Sequence, residues 1–143
     1  AAELGTMKVT EQIDALKTLS ADPISYLIIP RILSGIIMLP ILIIFADIIG
    51  IMGGWFIGTQ SLGFNGSVYI QNTIDFLEIN DISSGLIKAS FFGLIITIMG
   101  CYQGFSSSGG AQGVGKATTN AVVSASILIL ASNYIMTNLF FAS

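Results

Sequence analysis

Three polar or ionisable residues stand inside stretches of this 143-residue chain that are otherwise apolar: Asp47, Lys88 and Asn133. A charge in an apolar medium is costly, so such residues persist where they bind, conduct or pair. Asp47 and Lys88 fit three uses: an ion pair with each other, pairs with helices outside this chain, or the lining of a polar cavity. Asn133 fits an interhelical hydrogen bond. Lys88 begins about one turn into its stretch, close enough to one end to snorkel. Asp47 lies about eleven residues, or roughly 16 Å, from the far end of its own stretch. Counted that way, the depths favour separate roles for the two charges.

A second constellation invites a chemical reading and fails it. Gly110-Ala-Gln-Gly-Val-Gly-Lys116 matches G-x-x-x-x-G-K, the opening of a phosphate-binding loop. That loop needs a Ser or Thr directly after the lysine to hold magnesium, and it follows a buried strand. Here Ala117 follows the lysine, Thr118 comes one place late, and the preceding residues form an apolar run. The glycines instead predict a tight loop between two helices. There are no histidines and one cysteine, Cys101. No nucleophile–base pair, carboxylate pair or metal cluster is visible, so no catalytic residue, metal or cofactor is assigned. A net charge of −3 gives no basic footprint for nucleic acid.

The elements that must position these residues follow from composition. Apolar residues make up 53% of the chain and charged residues 9%, where soluble domains carry about 25% charged. Mean hydropathy is +0.86. Such a surface suits lipid. Three stretches, 26–58, 83–105 and 118–141, are long enough to span a bilayer, and helices satisfy their own backbone there. The expected fold is an all-α integral membrane protein, with a break or kink in the first span near Pro30 or Pro40. Basic residues Lys8, Lys17, Arg31 and Lys116 flank alternate ends of the spans, whereas 59–82 holds only the acids Asp75, Glu78 and Asp81. The positive-inside rule then puts 1–25 and 106–117 in the cytoplasm, and 59–82 and the C-terminus outside. The opening Ala1-Ala2-Glu3-Leu4-Gly5 has no methionine and no charged segment before an apolar core. It reads as the interior of a longer protein, with further helices upstream and no signal peptide.

Ahead of the first span, Val9, Ile13, Leu16 and Leu19 share one helical face, with Glu11, Asp14 and Lys17 largely elsewhere. This predicts a short amphipathic helix ending near Asp22-Pro23, lying in the membrane interface or docking a partner. In the outer segment, Ile70, Ile74 and Leu77 predict another short helix, and Asn65-Gly66-Ser67 reads as a turn rather than a glycosylation site. Gly50 and Gly54 form a G-x-x-x-G, and with Gly93 and Gly100 they predict close helix packing, within the subunit or at a dimer seam.

Taken together, these pieces resemble the MlaE/YrbE permease family. The resemblance rests on Ala2-Glu3-Leu4-Gly5-Thr6-Met7-Lys8-Val9-Thr10-Glu11-Gln12-Ile13-Asp14-Ala15-Leu16, Asp22-Pro23-Ile24 and Pro30-Arg31. It continues through residues 85–93, 100–104 and 109–119. It implies the last three spans of a five-span permease in the bacterial inner membrane. The transporter would be of ABC type and move phospholipids between inner and outer membranes. Implied partners are a cytoplasmic ATPase, a second permease copy, an MCE-domain ring outside and a STAS-type protein. Residues 1–22 would be the coupling helix and 59–82 a periplasmic segment. Val9, Ile13 and Leu16 would fill an apolar groove of the ATPase, flanked by Glu11, Gln12 and Asp14. Some relatives carry an acid at Asn133, so this chain departs there. The competing reading is a membrane scaffold or assembly subunit that transports nothing.

Overall fold

A computed structural model describes residues 1–141, with backbone alone at Phe141. Among them are six α-helices: α1 (Ala2–Val9), α2 (Gln12–Thr18), α3 (Ile29–Gln60), α4 (Gly66–Phe76), α5 (Ile79–Phe105) and α6 (Gly110–Phe141). A single π-helical turn, Ile24–Ile28, leads into α3. α3, α5 and α6 are each long and apolar enough to cross a membrane.

α5 is the central helix, packed between α3 and α6. α1 lies across the ends of α5 and α6, whereas α4 touches α3 at the opposite end of the bundle. The seams are made of small residues. Ala117, Ala121 and Ala125 recur every fourth residue on α6 and are buried, as are Ala89 and Cys101 on α5. The large side chains point the other way: Ile37, Phe45, Ile49, Met52 and Phe56 of α3 are all more than half exposed. In water this would be inside out. Against lipid tails, Ile and Phe gain nothing from burial, and helices associate where small residues let their backbones approach.

Several predicted boundaries move. The amphipathic helix expected as one piece is two, broken at Thr10-Glu11, where Glu11 takes a left-handed φ of 60°. Leu19, assigned to its apolar face, lies beyond α2 and is 77% exposed. The predicted loop 106–117 shrinks, because α6 starts at Gly110 and takes up the P-loop-like residues in its first turns. Gly109, at φ 85°, makes the sharp reversal that allows this. Pro30 stands at the second residue of α3, directly after the π-helical turn, so the continuous helical run Ile24–Gln60 is irregular just ahead of the proline. α3 runs on through Pro40. Asn65 is the N-cap of α4, its Oδ1 accepting from the Ser67 N–H at 3.1 Å and the Ser67 hydroxyl at 2.7 Å.

Candidate functional site

At the α1 end, α1 is seated by close backbone approach. Leu4 is 1% exposed. A Cβ on Gly104 would stand 2.6 Å from the Ala1 carbonyl oxygen and 2.9 Å from Leu4 Cβ, so only glycine fits. The buried Ser107 hydroxyl donates to the Gly104 carbonyl at 2.9 Å and contacts the Gly5 carbonyl at 3.3 Å. α2 then folds back. Ile13 is 0% exposed, so it anchors the elbow to its own chain and has no surface to offer a partner's groove. Val9 and Leu16 are half-buried, and Glu11, Gln12 and Asp14 are exposed. The outer face of the elbow is therefore polar. Asp14 binds Lys17 at 3.1 Å and Lys8 at 3.7 Å. The Lys17 hydrogen bond, helped by the charge of Lys8, holds its carboxyl below the ordinary value. Asp22 caps the π-helical turn, accepting from the Ser25 hydroxyl at 2.8 Å and the Ile24 N–H at 3.2 Å. These bonds, the Ser25 one foremost, lower its pKa.

α3 and α5 cross at Gly35 and Gly93. A Cβ on either would press into the other's backbone carbonyl or into Thr97. The sequence marks Gly93 as a packing glycine but does not single out Gly35, its partner at the crossing. Between this crossing and α1 lies a cleft of about 510 Å³ whose wall includes Ser34, Met38, Thr97 and Cys101. Glu3 and Arg31 line its mouth and form an ion pair at 2.9 Å. The other predicted packing glycines behave differently. Among the described residues nothing lies within 4 Å of a Cβ on Gly50, so it faces open space there. Gly54 receives the Tyr69 hydroxyl of α4, and Gly100 lies in ordinary contact with the backbone at Ala1. The Gly50-x-x-x-Gly54 pair thus seats α4 on one side and nothing on the other.

Asp47 faces a second cavity, of about 620 Å³, at the other end of the α3–α5 seam. Asp81 shares its lining, with Ile44, Ile48, Ile51 and Leu77 as apolar wall. The depth expected for Asp47 needs correction. It was counted from the end of α3, but α3 and α5 do not end level. Asp47 stands beside Asp81, near the start of α5, and α3 continues roughly 20 Å beyond it. Lys88, two turns further along α5, is therefore the deeper of the two by roughly 10 Å. It turns toward α6, where its ammonium donates to Thr137 Oγ1 at 2.9 Å. Thr137 in turn donates to the Asn133 carbonyl at 2.7 Å. Lys88 and Asn133 thus belong to one neighbourhood and Asp47 to another. Thr137 and Asp81 were missed; a threonine one turn from an intramembrane asparagine was the available signal.

Three membrane-length helices packed on small-residue seams, with few charged side chains along them, define a multi-pass membrane protein. The family described as Permease MlaE matches residues 1–139, and the chain belongs to it. A probable ABC transporter permease protein of Rickettsia typhi is 55% identical over 141 residues, 99% of this chain and 54% of that protein. A probable ABC transporter permease protein of Synechocystis is 42% identical over the same coverage. The chloroplastic protein TRIGALACTOSYLDIACYLGLYCEROL 1 of Arabidopsis thaliana is 38% identical over 99% of this chain and 40% of its own length. The chain spans about half the length of these relatives or less.

Proposed function

We propose that this chain is the C-terminal part of the permease subunit of an ABC-type transporter in a bacterial inner membrane. Its cargo is phospholipid, moved between inner and outer membranes, and a separate cytoplasmic ATPase supplies the energy. The observation that carries the reading is the α1–α2 elbow. It is tied by glycine contacts to the ends of two spans and presents Glu11, Gln12 and Asp14 outward. That is the arrangement needed to pass a push from a docked ATPase into the bundle. Relatives named as ABC transporter permeases support it, and one relative's name carries a glycerolipid. In this reading the elbow and Lys116 are cytoplasmic and α4 is periplasmic. A second permease copy completes the pathway, with an MCE-domain ring outside and a STAS-type protein inside. Lys88, Asn133 and Asp47 contribute polar contacts along the lipid path. The test uses the full-length protein with its cognate ATPase in proteoliposomes carrying a labelled phospholipid. ATP-dependent transfer to acceptor vesicles is expected, and Glu11→Lys with Asp14→Lys should uncouple it. An ATPase indifferent to the permease, with no lipid moved, would support the scaffold reading instead.

A further inference from the structure

We propose that the Glu3–Arg31 ion pair is a strap across the α1-end mouth of the α3–α5 cleft, and that α3 pivots on the Gly35–Gly93 crossing when the strap is released. Three observations carry this. First, α1 belongs to the α5–α6 body: Leu4 is buried, Gly5 fits against Ser107 and Val114, and Gly104 admits the α1 backbone. Second, α3 and α1 are not among the helix pairs in broad contact. The 2.9 Å contact between Glu3 Oε2 and Arg31 Nη2 spans the open cleft between them. Third, α3 and α5 touch backbone to backbone at a crossing of two glycines, Gly35 and Gly93, with Thr97 and Leu39 packed beside it, which makes that crossing the fulcrum of their seam. Arg31 lies one helical turn from Gly35, so it is the short arm of a lever.

The strength of the pair suits a strap. Arg31 is 30% and Glu3 76% exposed at the side chain. A partly exposed pair is weak enough to break and reform, whereas a buried one would resist opening. Cys101, on the wall of the same cleft, is 5% exposed. Its reaction with a maleimide therefore reports opening.

The experiment uses the full-length protein in detergent with Cys101 as its single cysteine. Glu3→Gln and Arg31→Gln should each speed labelling about two- to fivefold, the shift expected from losing one exposed ion pair. Exchanging the charges, Glu3→Arg with Arg31→Glu, should restore the starting rate. Raising salt from about 0.05 to about 1 M should speed labelling of the unaltered protein but not of Arg31→Gln, because salt screens such a pair. The salt arm decides the matter if a single variant fails to insert. Single variants that label at the starting rate, an exchanged pair that stays fast, or an unaltered protein indifferent to salt would each overturn the strap. The proposal rests on the permease reading only for what the cleft conducts. Labelling needs no ATPase or lipid, so its failure leaves that reading standing.

Discussion

Replacing Gly93 by alanine tests whether the α3–α5 crossing is what the backbone geometry makes it. The added methyl would lie 2.9 Å from the Gly35 carbonyl carbon, closer still to its oxygen, and 3.1 Å from Leu39 Cδ1. Leu39 can turn aside; the Gly35 backbone cannot, and ordinary contact begins near 3.4 Å. The two helices must therefore separate. Overpacking of this kind costs about 1–3 kcal/mol. Alanine also favours the helix over glycine by about 1 kcal/mol, which blurs a single measurement. Gly50→Ala supplies the reference, because it has the same propensity gain and no neighbour within 4 Å. The difference between the two variants isolates the packing cost. Thermal melts of the full-length protein in detergent should place Gly93→Ala below Gly50→Ala by that 1–3 kcal/mol, with Gly35→Ala behaving like Gly93→Ala. Equal melting of Gly93→Ala and Gly50→Ala would refute the crossing as described.

Glu11 holds a left-handed backbone that costs a non-glycine residue about 1–2 kcal/mol. Glu11→Gly should therefore raise the melting temperature and Glu11→Val lower it, and the reverse order would count against a built-in elbow. Asp14 has its pKa lowered from 3.8 by Lys17 and Lys8. A depressed carboxyl stabilises the fold above its unfolded pKa, and the benefit fades as pH falls through the lower folded value. Hydrogen-exchange protection over residues 8–17, measured relative to the intrinsic exchange rate at each pH, should accordingly fall below about pH 4, and Asp14→Asn should flatten that loss of protection.

How much of this was legible in the sequence depends on what carried the information. The three spans, α4 and the all-α class follow from hydropathy and spacing, which act locally. The Ala117, Ala121 and Ala125 stripe was also local, a small residue every fourth place, yet was not singled out. The inward turn of Ile13 was hidden because the period that groups it with Val9 and Leu16 assumes one unbroken helix, and Glu11 breaks it. Glycines posed a different problem. Gly50 and Gly93 look alike as letters. Only the crossing with Gly35, some sixty residues away along the chain, makes one of them a contact and leaves the other open. The relative depth of Asp47 and Lys88 depended on α3 being longer than α5, a tertiary fact.

The position of Lys88 explains how a span tolerates a charge and which parts of the bundle move together. Its ammonium meets Thr137, four residues before α6 ends at Phe141. The last turn of a helix carries partial negative charge on its unpaired carbonyls, so a cation there is stabilised by about 0.3–1 kcal/mol, and by more where water is sparse. The threonine hydroxyl can accept from lysine because its own proton goes to the Asn133 carbonyl. The asparagine position is thus used through its backbone, which asks for no acid at its side chain. This contact ties α5 to α6 far from α1. At the opposite end, α1 ties the same two helices through Gly104, Ser107 and Leu4. α5 and α6 are thereby clasped at both ends, with an alanine seam between. Among the described residues α3 is not tied at both ends in this way: it packs along α5 over a broad seam that crosses at Gly35 and Gly93, reaches α1 through one partly exposed ion pair and carries α4 at its far end. Motion in this chain should therefore divide between α3 with α4 and α1 with α5 and α6, opening the seam that holds both cavities rather than the seam between α5 and α6.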